Sequence, residues 1–177
     1  MNLPTWVTVA RLLGVPIILY ALHQSSQLWQ WISLIVFLLA AATDWLDGYL
    51  ARRLNQVTDL GKFLDPLVDK LLVMAPLLAL VERGLVPAWG VFLILARELT
   101  IAGWRVSPAL QNGNTIQGAN RWGKLKTISQ IAAIAVLIAP GSETSQQWGV
   151  ILFWVSVGLT WLSGLIYLWP GTQPTAG

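Results

Sequence analysis

The chain of 177 residues holds eight acids, and five of them, Asp44, Asp47, Asp59, Asp65 and Asp69, fall within one stretch of 26. Asp44, Asp47, Gly48 and Ala51 have the offsets i, i+3, i+4 and i+7, which put all four on one face of a helix, with Arg52 just beside it. Asp65 and Asp69 are spaced i, i+4 and share a face of the following helix. The connection over residues 53–61 is short enough to make the two helices antiparallel neighbours, so that their acidic faces can meet across a common space. Four converging carboxylates repel one another unless cations sit between them. All-oxygen ligands select hard ions such as Mg²⁺ or Mn²⁺, and histidine is unavailable because the only one, His23, belongs to the opposite side. Two such ions sharing carboxylates about 3.5 to 4 Å apart would form a clamp suited to phosphoryl transfer. Gly48 and Ala51, almost without side chains, would let a planar or pyrophosphate ligand approach the helix backbone above the metals. Taken singly, these residues have plainer explanations: Asp caps helix ends, Gly and Ala permit close helix packing, and Asp59 solvates its loop. Taken together they point to a site, because each charge costs about 2.5 to 3.5 kcal/mol at a bilayer centre.

The surrounding chain makes that cost relevant. It is 55% hydrophobic and only 11% charged, with a mean hydropathy of +0.62, whereas a soluble domain carries about 25% charged residues. These figures exclude an ordinary soluble protein and imply an integral membrane protein. The absence of cysteine excludes disulfides, thiolate metal sites and cysteine nucleophiles. Cutting the chain at its polar and Pro/Gly clusters leaves six apolar segments, at residues 6–22, 31–50, 63–81, 87–104, 125–139 and 148–169, each near the length needed to cross the hydrocarbon core. The fifth is the shortest and begins in Gly123-Lys124-Leu125-Lys126-Thr127, whose lysines could snorkel. Lipid leaves backbone groups without water, so the expected fold is all-α, a bundle of six transmembrane helices. Residues 1–170 are expected to form one domain and residues 171–177 a short disordered tail. Residues 1–5 lack the features of a signal peptide and read as mature sequence.

Orientation follows from the bases. With the amino terminus in the cytoplasm, Arg11, Arg52, Arg53, Lys62, Lys70, Arg97, Arg105, Arg121, Lys124 and Lys126 lie on or nearest the cytoplasmic side, and Arg83 alone lies opposite. Both termini are then cytoplasmic. Trp6, Trp29, Trp31, Trp89, Trp104, Trp122, Trp148 and Trp169 fall near segment ends, where an amphipathic indole is favoured.

The run Asp44-x2-Asp47-Gly48-x2-Ala51-Arg52-x8-Gly61-x3-Asp65-x3-Asp69 resembles, at all eight fixed positions, the signature of the CDP-alcohol phosphatidyltransferase family. Asn2-Leu3-Pro4-Thr5, Arg11, Pro16, Ala96-Arg97-Glu98 and Gly123-Lys124-x-Lys126-Thr127 look like the bacterial branch that uses glycerol 3-phosphate. The resemblance covers residues 2–127, and the last segment offers no comparable motif. It implies a transferase of phospholipid biosynthesis that moves a phosphatidyl group from CDP-diacylglycerol to sn-glycerol 3-phosphate, giving phosphatidylglycerophosphate and CMP. It also implies a site facing the cytoplasm, most naturally from a bacterial plasma membrane, with an organellar or thylakoid membrane as the alternative. Two Mg²⁺ or Mn²⁺ ions are implied, one held by Asp44, Asp47 and Asp65 and the other by Asp44, Asp65 and Asp69. Asp69 would also be general base on the acceptor hydroxyl. Asn2, Thr5, Gly48, Ala51, Arg52 and Thr58 would contact the CDP-lipid. Membrane lipids and a second copy of the chain are the further expected partners, and nucleic acid is not one.

A phosphate dianion on the acceptor needs cations, and Arg97, Arg105, Arg121, Lys124 and Lys126 cluster on the same predicted face as the acids. Arg97, Lys124, Arg105 and Lys126 are therefore the expected acceptor-phosphate ligands. Arg97 leads, since an unpaired guanidinium within an apolar helix is costly. Glu98, adjacent to it, is expected to point elsewhere. Two other readings stand beside this one: the same chemistry with inositol phosphate, serine or phosphatidylglycerol as acceptor, and, more remotely, a divalent-cation transporter.

Overall fold

Each apolar run becomes one helix, and each helix is extended into polar sequence at one or both ends. The computed structural model describes the backbone at residues 3–54, 59–106 and 121–168, and the side chains at 8–43, 66–104 and 123–165. Among the described residues there are six helices and no strand: α1 Leu3–His23, α2 Gln27–Leu54, α3 Asp59–Glu82, α4 Ala88–Val106, α5 Arg121–Ile138 and α6 Glu143–Leu168. The extension is largest in α2, whose Arg52, Arg53 and Leu54 favour helix and meet no glycine or proline stop. It also moves the start of α5 from Leu125 to Arg121.

Local chemistry sets the turns. Ser26 caps α2 by accepting the amide of Leu28 at 3.3 Å, and Ser142 caps α6 by accepting that of Ser145 at 3.4 Å. At the end of α3, Gly84 has φ +72°. Its amide donates to the Val81 carbonyl at 2.9 Å and the Leu85 amide to that of Leu80 at 3.0 Å, the paired bonds of a Schellman cap.

The helices pack in a closed ring, in the order α1, α2, α5, α6, α4, α3 and back to α1. α3 also touches α2 and α5, and so has four neighbours. Although α2 and α3 are consecutive, their mutual contact among the described residues is slight, and both lean there mainly on α1. All six contribute to one core, in which Ile18, Phe37, Leu77, Leu80, Ile94, Ile134 and Phe153 are almost wholly buried. The outward surface is apolar too: Leu13, Ile35, Leu78, Phe92, Ile128 and Leu165, one from each helix, are exposed.

By length and composition, α6 is the one helix among the described residues able to cross a membrane, over Glu143–Leu165 with hydropathy 1.6. α1 and α2 hold shorter apolar stretches, Thr8–His23 and Gln27–Thr43.

Candidate active site

The helical backbone is continuous through residues 44–52 and 65–69, so Asp44 and Asp47 lie about one turn apart on α2, and Asp65 and Asp69 about one turn apart on α3. Gly48, Ala51 and Arg52 follow on α2. Of the clustered acids, Asp69 is the one whose side chain falls within the description; those of Asp44, Asp47, Asp59, Asp65, Gly48, Ala51 and Arg52 lie outside it. Thr5 and Arg105 are helical in backbone with their side chains likewise outside, and Asn2 and Thr58 are outside the described residues altogether.

Asp69 reaches α1. Its Oδ1 accepts a hydrogen bond from Nη1 of Arg11 on α1 at 3.1 Å. The Arg11 side chain is 1% exposed and that of Asp69 46%, so the cation is enclosed by the bundle and the carboxylate stands at an opening. In the sequence Arg11 counts toward membrane orientation and the family resemblance, with no role in the site; in the fold it is turned inward, into a charge-assisted bond with a candidate catalytic carboxylate. An arginine in the third turn of α1, on the face carrying Thr8 and Val15 toward the core, was the available signal.

A second polar cluster joins α4, α5 and α6. Arg97, 10% exposed, donates from Nη1 to Oε1 of Glu98 at 3.0 Å and from Nη2 to Oγ of Ser163 at 2.8 Å. Lys126 is buried and donates from Nζ to the same Glu98 oxygen. The expectation that Glu98 points away from Arg97 is therefore corrected. Neighbouring residues on a helix do not face each other by spacing alone, but both side chains are long, and the lysine arriving from α5 draws the carboxylate to the shared side. Lys126 does not snorkel as expected, because Glu98 holds it inside. Lys124 is exposed and stands apart from this cluster.

Among the described residues, two cations on one carboxylate leave a surplus of one positive charge in a largely enclosed place. α3, which carries Asp69 and Lys70, packs on both α4 and α5. Such a surplus is costly until an anion arrives.

The last helix contributes more than the sequence shows. Ser156, Thr160 and Ser163 are buried along one stripe of α6, and Thr160 accepts a hydrogen bond from Nε2 of Gln130 on α5 at 3.0 Å. Hydroxyl residues at i, i+4 and i+7 in an otherwise apolar helix were the signal that could have found it.

Comparison with known proteins supplies the family. The family model for CDP-alcohol phosphatidyltransferase matches residues 1–162. A Bacillus subtilis protein named CDP-diacylglycerol–glycerol-3-phosphate 3-phosphatidyltransferase is 39% identical over 181 residues, covering 94% of this chain and 93% of its own. A protein of the same name from Rickettsia felis is 36% identical over 171 residues, with 94% and 93% covered. A rice protein named cardiolipin synthase (CMP-forming) is 33% identical over 189 residues, covering 95% of this chain and 56% of its own. The match extends past the signature helices into α6, and on that footing the chain belongs to the CDP-alcohol phosphatidyltransferase family.

Proposed function

We propose that this protein transfers the phosphatidyl group of CDP-diacylglycerol to sn-glycerol 3-phosphate, forming phosphatidylglycerophosphate and releasing CMP. The observation that carries the choice of acceptor is the shared name of the Bacillus and Rickettsia proteins, each similar over nearly the whole chain. The enclosed surplus of positive charge at Arg97, Glu98 and Lys126 supports it, since a phosphate dianion is the ligand that such a place favours.

In this reading the acceptor phosphate docks on Arg97 and Lys126, with Lys124 and Arg105 at its rim. Its 1-hydroxyl attacks the phosphorus that bears the diacylglycerol; the new O–P bond forms as the bond to CMP breaks, and the hydroxyl proton passes to Asp69. Arg11 fixes the orientation of the Asp69 carboxylate through the 3.1 Å bond. Gly48 and Ala51 leave room for the nucleotide, with Arg52, Thr58, Asn2 and Thr5 around it. The donor set is all carboxylate, on helical backbone at one-turn spacing, which fits two hard divalent ions. Asp44, Asp47 and Asp65 would hold one and Asp44, Asp65 and Asp69 the other. When bound, Mg²⁺ or Mn²⁺ would neutralise charge on the pyrophosphate.

The exposed apolar side chains on all six helices support a bundle immersed in lipid. We place both termini and the acids on the cytoplasmic side and take the protein to be a homodimer of a bacterial plasma membrane. The rice relative keeps phosphatidylglycerol as the second acceptor to test. CMP release by the purified protein, measured with glycerol 3-phosphate, inositol phosphate, serine and phosphatidylglycerol in turn, decides among them. Glycerol 3-phosphate is expected to give the highest kcat/KM, and preference for any of the others overturns the assignment.

A further inference from the structure

The guanidinium of Arg97 is gripped from a helix to which the sequence assigned no role. Ser163 Oγ donates its own hydrogen to the Thr160 carbonyl at 2.9 Å, so the bond from Arg97 Nη2 at 2.8 Å is received by the oxygen lone pairs. Thr160, one turn earlier, is arranged in the same way: it donates to the Ser156 carbonyl and accepts from Gln130. The hydroxyls on this stripe are thus held as acceptors facing the neighbouring helices. Beside Ser163, a Cβ built on Gly164 would stand 3.2 Å from both Cγ and Nε of Arg97. The arginine stem therefore runs through a notch that glycine leaves open. Nε itself is buried and meets no hydrogen-bond partner among the described residues. Glu98 and Ser163 each engage one terminal nitrogen, which fixes the plane of the group and leaves donors for a ligand.

We infer that Ser163 and Gly164 of the last helix are positioning residues for the acceptor site, setting the guanidinium plane of Arg97 for a phosphate oxygen. This rests on the reading that Arg97 binds the acceptor phosphate. A planar fork loses its advantage over a point charge when its plane is free to turn. Ser163 supplies the angle and Gly164 the clearance. The proposed CDP-lipid contacts come from other parts of the chain, so the influence of Ser163 and Gly164 is expected to fall on one substrate.

The test is steady-state kinetics with both substrates varied, on Ser163→Ala, Ser163→Thr, Gly164→Val and Arg97→Gln in the full-length protein in detergent, beside thermal unfolding of each. Ser163→Ala and Gly164→Val are expected to raise KM for glycerol 3-phosphate about tenfold, with KM for CDP-diacylglycerol within about twofold of the parent, as befits loss of one bond to a charged group. Ser163→Thr keeps the hydroxyl and is expected to restore the parent KM. If Gly164→Val does not fold, the Ser163 pair still decides. An unchanged acceptor KM in Ser163→Ala, or a parallel rise in both KM values, overturns the inference. Arg97→Gln separates the two levels. If it raises the acceptor KM while Ser163→Ala does not, the positioning role fails alone; if it leaves that KM unchanged, the assignment of Arg97 fails and the inference with it.

Discussion

At the scale of single residues, the acids and the bases of this chain differ in how much their spacing reveals. Asp44, Asp47, Asp65 and Asp69 can be grouped from sequence because helix geometry turns offsets of three and four into a shared face, and the continuous helical backbone of α2 and α3 keeps those offsets. Arg11 and Glu98 cannot, because their partners come from other helices: Asp69 lies 58 positions from Arg11, and Lys126 lies 28 from Glu98. Spacing within one helix carries no information about such pairs. The Arg11 bond also gives the general-base assignment a sharp test. Asp69→Asn keeps the size of the side chain and is expected to preserve fold and CDP-lipid binding while turnover falls at least about a hundredfold. Arg11→Lys keeps the charge and loses the fixed planar donor, so a drop of about tenfold in kcat with unchanged CDP-lipid affinity is expected. Binding calorimetry and single-turnover CMP formation read the two quantities separately, and near-normal turnover in Asp69→Asn would remove it from the role of base.

At the scale of elements, the number and order of helices follow from six apolar runs, and the helix ends do not. α2 continues to Leu54 and α5 begins at Arg121 because arginine and lysine are good helix formers, so hydropathy falls before the helix stops. Among the described residues, the ring order gives α2 and α3 each a larger interface with α1 than with one another. That order depends on which faces fit together, which no single helix pattern encodes. It explains why a residue of α1 reaches Asp69. The turn after α3 has an energetic consequence that can be isolated. A Cβ at Gly84 would meet nothing within 4 Å, so Gly84→Ala tests backbone conformation without a packing change. With φ at +72° the substitution is expected to cost about 1 to 2 kcal/mol. A lowered unfolding midpoint with unchanged kcat, measured in detergent, is the expected result; an unchanged midpoint would mean that the turn does not need its left-handed residue.

At the scale of the whole molecule, the thin scatter of charge in the composition resolves into polar clusters in one part of the bundle, with an apolar body around and beyond them. Length explains how the acids meet both water and lipid. α2, with 28 residues, is about 42 Å long, whereas the hydrocarbon core is about 30 Å thick. In the proposed arrangement its last three turns, which carry Asp44 and Asp47, would extend toward the headgroups. There a lipid-linked nucleotide and a water-soluble acceptor would both have access. The bias of ten bases to one makes the direction testable, and the absence of cysteine makes the test clean. Single cysteines placed by Arg83→Cys and Lys124→Cys, both at exposed positions, should report opposite sides. In intact bacterial cells a membrane-impermeant maleimide is expected to label Arg83→Cys at once and Lys124→Cys only after the membrane is opened. The reverse pattern would put the acids outside, away from cytoplasmic glycerol 3-phosphate. Labelling of both positions from one side would break the six-span arrangement itself, because the turn after α3 and the start of α5 would then share a face of the membrane.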